Sequence, residues 1–308
     1  METEPGTVSL QAIAISWLAA SAAFPLALLT AVMGQALGAL AGGCSWIGLT
    51  VPIDRQIWAL VNQPVLNFAS LPKAGGYWLG STVLPLVVAV TIIGFLPRAR
   101  SFVVELTVVQ TAWATSVVAV AWMPLLDDAD GHLVRFLALH GRPAILVWLA
   151  PAAAAGAALL PTLRLLELAR RRRIEARRRH RLLVVSIHLL VPAVVWVVLA
   201  SVARASLPLP ATVGAAVPVT AAVIFTWWRF PRPYVRRLEP PKPSEIAALA
   251  IATALLGGCV WLSGRPLPNG RTAGLLWGSP QSFNNIRPWV EPRSLIDSDS
   301  DHVAAESH

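Results

Sequence analysis

Few side chains in this 308-residue chain are equipped for chemistry, and their spacing narrows the field further. The two cysteines sit in near-matching settings, Gly42-Gly43-Cys44-Ser45-Trp46 and Gly257-Gly258-Cys259-Val260-Trp261. A disulfide between Cys44 and Cys259 would staple the first apolar segment to the last at an oxidising membrane face. Two buried free thiols is the favoured reading, because disulfide geometry is strict. Asp127-Asp128-Ala129-Asp130-Gly131-His132 opens like a calcium loop but lacks the later ligands and the closing glutamate. It reads as a polar loop. No phosphate loop, HExxH, GxSxG or CxxC pattern occurs, so neither a metal nor a cofactor is expected. His188 falls inside an apolar segment, where an ionisable group is a functional candidate by default. It lies about two helical turns from Arg181, and a hydrogen bond to a neighbouring helix is its favoured role. Glu105 stands in the first turn of another apolar segment, beside Arg98 and Arg100, where a helix N-terminus favours negative charge. It reads as structural.

The elements that must position these groups are strongly apolar. Hydrophobic residues make up 56% of the chain and charged residues 13%, with a mean hydropathy of +0.62. An ordinary soluble domain carries about twice that charged share. No charged residue separates Glu4 from Asp54, and further uncharged windows of about 20 residues follow. This pattern excludes a soluble enzyme, a disordered tail and a disulfide-framed secreted domain. The expectation is an all-α, polytopic integral membrane helical bundle with about seven transmembrane helices. The windows fall at 10–41, 76–97, 102–124, 143–166, 182–204, 211–229 and 245–263. A short N-terminus (1–9) precedes the helical region (10–263), and a Pro-, Gly- and Trp-containing tail (264–308) follows, its end expected to be disordered.

The net charge of +9 need not mean nucleic acid. Basic residues gather at Arg98 and Arg100, at Arg164–Arg181, and at Arg229–Arg237 with Lys242. The positive-inside rule places those loops and the N-terminus in the cytoplasm and the C-terminal tail outside, in a plasma or inner membrane. The arginine runs then read as topology anchors. Trp46, Trp78, Trp122, Trp227, Trp228 and Trp261 lie near the expected span ends, where interfacial aromatics belong.

The order of elements over residues 52–230 resembles the type 2 phosphatidic acid phosphatase superfamily, a six-span fold that hydrolyses lipid phosphates. An amphipathic stretch at Asp54–Asn62 precedes Leu79-Gly80-Ser81 at a span start. Arg135 is followed by six residues and then Arg142-Pro143, like the family's first motif. Pro151-Ala152-Ala153-Ala154 stands at the second motif, and Ala203-Arg204, Pro210 and Gly214 stand at the third. The family's nucleophilic His, its orienting Asp and its acidic His are therefore replaced by Pro210, Gly214 and Ala154, none of which can take those roles.

The resemblance implies a six-helix phosphatidic-acid-phosphatase-like core plus one C-terminal helix. It also implies that Arg135, Arg142 and Arg204 converge at the outer membrane face, with His140 lining the pocket. Guanidinium groups suit phosphate because they present planar, bidentate donors. Asp127, Asp128 and Asp130 could instead pair with those arginines. The leading expectation is a catalytically degenerate, phosphatase-like membrane protein that binds a lipid with a phosphate head group. One alternative is a non-enzymatic structural or assembly subunit with a membrane protein partner. A further alternative is an active phosphatase with an unrecognised nucleophile.

Overall fold

The computed structural model describes residues 9–41, 46–50, 58–61, 71–95, 99–121, 144–172, 178–192 and 238–262. These form six helices and one small hairpin: α1 (Leu10–Ala41), β1 (Trp46–Thr50), β2 (Trp58–Val61), α2 (Leu71–Phe95), α3 (Phe102–Ala121), α4 (Ala144–Arg171), α5 (Arg178–Val185) and α6 (Pro243–Leu262). A π-helical turn, Ser186–Leu190, continues α5. β1 and β2 pair antiparallel, Thr50 opposite Trp58 and Trp46 opposite Val61, with an irregularity between Trp46 and Gly48. The hairpin packs against α1.

The expected bundle of about seven transmembrane helices is corrected here, and with it the phosphatase-like six-helix core plus C-terminal helix. Among the described residues, two helices are long and apolar enough to cross a membrane, through Leu10–Gly38 of α1 and Phe102–Ala119 of α3. The apolar parts of three others are shorter: Leu79–Gly94, Arg181–Leu190 and Pro243–Cys259. The helices and the hydropathy windows also begin and end at different residues: α2 starts at Leu71, before its window at 76–97, and α4 runs on past its window at 143–166 through Glu167, Arg170 and Arg171. Hydropathy windows mark apolar stretches, whereas helices continue wherever propensity allows; Arg, Leu and Glu are all good helix formers. The expected window at 211–229 lies outside the described residues, as do Trp122, Trp227, Trp228 and the tail at 264–308.

α3 is the middle of the assembly. Between Phe102 and Ala119 nearly every side chain is buried, small and polar ones included, and among them Val104 alone is well exposed. α1, α2, α4 and α6 pack around it. α1 contributes an alanine-rich inner face, Ala12, Ala19, Ala23, Ala27 and Ala31, which lets the neighbouring backbones come close. Leu106, Trp113, Leu165, Leu166 and Leu189 fill the core between α3, α4 and the π turn.

The described ends sort clearly. Glu239 N–H donates to the Arg100 carbonyl (3.0 Å), Ser101 Oγ donates to Glu245 Oε2 (2.9 Å), and Arg171 Nη2 donates to the Ala99 carbonyl (2.9 Å). These contacts bring the α2–α3 turn, the end of α4 and the start of α6 together at one end, called the basic end below. α6 begins with Pro243 at its first position, where a missing N–H costs nothing. Glu245 reaches back to the Lys242 N–H (3.2 Å) and so caps the helix.

Candidate functional site

Arg135, His140, Arg142 and Arg204 all lie outside the described residues, as do Asp127, Asp128, Asp130 and Cys44. The outer-face arginine site is thus neither assembled nor dispersed by the described structure. Cys259 is a free thiol on α6, exposed rather than buried as the sequence reading expects. Among the described residues no cluster of three or more His, Cys, Asp or Glu could hold a metal ion.

What the described helices do bring together is two buried polar groups. The first is at the basic end. Glu105, on the first turn of α3, forms an ion pair with Arg164 of α4, both almost fully buried. Arg164 Nη1 also donates to the Ile93 carbonyl at the end of α2 (3.1 Å), and Glu105 Oε2 accepts the Ala99 N–H (2.9 Å). One carboxylate and one guanidinium therefore tie α2, α3 and α4 together. Glu105 is structural, as its position in the first turn suggests, but its partner is Arg164 rather than Arg98 or Arg100. By sequence Arg164 stands at the end of the 143–166 window, where the arginine-rich segment Arg164–Arg181 begins. In the fold it is a core residue.

Beside this pair, Arg172 lays its guanidinium over the Phe102 ring, 4.5 Å from the centroid. Half-burial there pulls its pKa below the ordinary arginine value, by desolvation.

The second group lies deeper. Gln110 of α3 donates to Ser16 Oγ of α1 (2.9 Å) and to the backbone carbonyl of His188 in the π turn. The sequence explains why that carbonyl is open. In an α-helix it would accept the N–H four residues on, but that residue is Pro192, which has none. The local ladder shifts to i→i+5, with Val191 N–H bonded to the Ser186 carbonyl. Gln110 supplies the missing donor from outside. The interhelical hydrogen bond expected of His188 thus runs through its backbone; its imidazole Nδ1 has no hydrogen-bond partner among the described residues. The indole Nε1 of Trp113, one turn beyond Gln110, is in the same condition.

Gln110→Leu is expected to cost about 1 kcal/mol of folding stability, since two interhelical hydrogen bonds go while shape is roughly kept. Thermal unfolding of the purified protein would read it. A loss below experimental error would mean that the His188 carbonyl finds another donor.

Chemically, the first group is a lock and the second a brace. The structural role of Glu105 is legible from its place in the first turn of α3, but its pairing with Arg164, and that of Gln110 with the carbonyl freed by Pro192, depend on tertiary contact. Comparison with family models, with curated proteins and with solved structures returned no match.

Proposed function

We propose that this chain is an integral membrane protein that acts by packing against lipid and a neighbouring membrane protein, as a structural or assembly subunit. One observation carries the reading: large aliphatic side chains are exposed on four helices while charged and amide groups are buried between them. Leu26 and Leu37 of α1, Val83, Val87 and Val90 of α2, Leu183 of α5, and Ile251 and Leu255 of α6 are all exposed. Ser16, Gln35, Ser81, Glu105, Gln110, Thr115, Ser116 and Arg164 are buried. Aliphatic side chains exposed on four helices, beside buried charge and amide groups, suit a hydrocarbon surrounding better than water. In hydrocarbon the same arrangement is favourable, because such polar groups find their partners inside the bundle, between helices for Glu105, Arg164, Gln110 and Ser16.

Hydroxyl groups fit the same pattern. Thr107, Thr115, Ser116, Thr162 and Thr253 each donate to the carbonyl four residues back, at 2.8–3.0 Å, and so need no water. α1, at 32 residues, extends about 48 Å, more than the hydrocarbon core requires. The outward face of α6, with Ile251, Leu255 and Cys259 at four-residue spacing, is the surface offered to a partner.

The test has two arms. After alkaline carbonate washing, the chain should stay with the membrane fraction; release into the wash would end the membrane reading. On native gels of mildly solubilised membranes it should migrate above its 32.9 kDa mass. Ile251→Ser/Leu255→Ser should return it to monomer size. A wild-type chain already at monomer size would end the subunit reading.

A further inference from the structure

The basic end carries more positive charge than its own carboxylates can answer. Among the described residues of 99–105, 164–172, 178–181 and 239–245 there are nine Lys or Arg against four Glu. Each Glu is already engaged. Glu105 holds Arg164 and the Ala99 N–H, and Glu245 accepts from Ser101 and the Lys242 N–H. Glu239 pairs with the Lys242 side chain at 3.3 Å, and Glu167 has a partner as well.

Two cations flank a single turn without a carboxylate partner among the described residues. Arg100 lies in the α2–α3 turn itself and is exposed, while Arg172 rests on Phe102 two residues further along that turn. The neighbouring Arg171 grips the Ala99 carbonyl, which holds the end of α4 against this turn. Contact with the ring holds the Arg172 guanidinium beside this turn and leaves its N–H donors without a carboxylate among the described residues.

Depth completes the argument. The turn immediately precedes the membrane-length apolar stretch Phe102–Ala119 and follows the apolar part of α2, Leu79–Gly94. On the membrane reading above, on which this inference rests, that is the level of the lipid phosphates rather than of bulk water.

We propose that the α2–α3 turn is a docking site for an anionic phospholipid of the leaflet at this end, its head-group phosphate held between the guanidinium groups of Arg100 and Arg172. A phosphate there accepts bidentate hydrogen bonds from Arg172 and charge-assisted contact from Arg100. The acyl chains lie along the exposed valines of α2, Val83, Val87 and Val90. A zwitterionic head group brings its own cation to the same place and gains far less.

The experiment places the full chain in nanodiscs of phosphatidylcholine alone or mixed with phosphatidylglycerol, and counts the lipids retained on release by native mass spectrometry. Wild type should retain phosphatidylglycerol over phosphatidylcholine. Arg100→Gln/Arg172→Gln should lower that preference about tenfold, and Arg100→Gln alone about threefold, taking roughly equal shares per arginine. Lys242→Gln, whose amine is answered by Glu239, should leave it unchanged. Arg100 is exposed, so its single variant tests the site even where the double variant folds poorly.

Absence of preference in wild type overturns the site, as does a preference indifferent to Arg100. Equal protection by inorganic phosphate in phosphatidylcholine discs overturns the lipid as occupant. A chain that does not enter phosphatidylcholine discs at all sinks the membrane reading and this inference together.

Discussion

Arg164→Leu is expected to destabilise the protein by about 3–5 kcal/mol, the largest loss from any single polar substitution in the described bundle. The reason is what it leaves behind. Glu105 is 1% exposed, so its buried carboxylate would lose its only counter-charge among the described residues. The Ala99 N–H would still donate to Oε2, but one backbone donor does not replace a guanidinium. The Ile93 carbonyl would lose its donor as well. Glu105→Leu should cost a similar amount, because it strands Arg164 instead.

The double variant Glu105→Leu/Arg164→Leu should recover most of either loss, since two well-packed aliphatic side chains replace a pair whose desolvation nearly cancels its attraction. The measurement is a double-mutant cycle on unfolding in mixed detergent micelles. Recovery marks the pair as a determinant of which helices meet rather than of total stability. Additive losses in the cycle would show that the two residues do not depend on each other, contrary to their contact.

Why that pairing could not be read from the sequence is instructive. Glu105 at the first turn of an apolar helix was legible, because the helix dipole explains it locally. Its partner is 59 positions away. Arg164 opens a run of charge that looks like a loop by composition, yet Leu163-Arg164-Leu165-Leu166-Glu167-Leu168-Ala169 has high helix propensity throughout. Charge argued for water and propensity argued for helix; propensity won, and carried Arg164 inside.

The helices at 10–41, 102–121 and 243–262 stand close to their hydropathy windows; Arg100 precedes the second, Pro243 opens the third, and Gly42-Gly43 follows the first. The hairpin has no comparable signal. Trp46-Ile47-Gly48-Leu49-Thr50 and Trp58-Ala59-Leu60-Val61 are short apolar runs, and runs that short do not distinguish strand from helix. The π turn at His188 had a local cause in Pro192, but its meaning needed Gln110 from another helix. The arginines singled out by the family resemblance lie where the structure describes nothing. The polar contacts it does describe were chosen by packing, which no spacing rule encodes.

At the other end of the bundle, Gly34→Val is expected to cost about 3 kcal/mol, by a mechanism unrelated to charge. Gly34 of α1 and Gly80 of α2 meet backbone to backbone. A Cβ on Gly34 would overlap the Gly80 carbonyl and come within 3.0 Å of Leu84 Cβ; a Cβ on Gly80 would overlap the Gly34 carbonyl in turn. The obstacle is a peptide group, which cannot rotate aside as a side chain can, so the helices must separate. Both residues belong to small-xxx-small patterns, Gly34-x-x-x-Gly38 and Gly76-x-x-x-Gly80, that permit such crossings. Separation would also loosen Gln35 and Ser81, which are fully buried beside the crossing.

Gly94→Ala in α2 and Gly156→Ala in α4 are the controls, since an added Cβ there meets nothing within 4 Å. Each should be neutral or gain up to about 1 kcal/mol from reduced backbone freedom. Unfolding midpoints of the three variants decide the matter: a Gly34→Val protein as stable as Gly94→Ala would mean that α1 and α2 do not touch at this point. Combined with Arg164→Leu, Gly34→Val should add its full cost. The two sites act on opposite ends of α2 and share no partner, and distant sites without common partners lose stability independently.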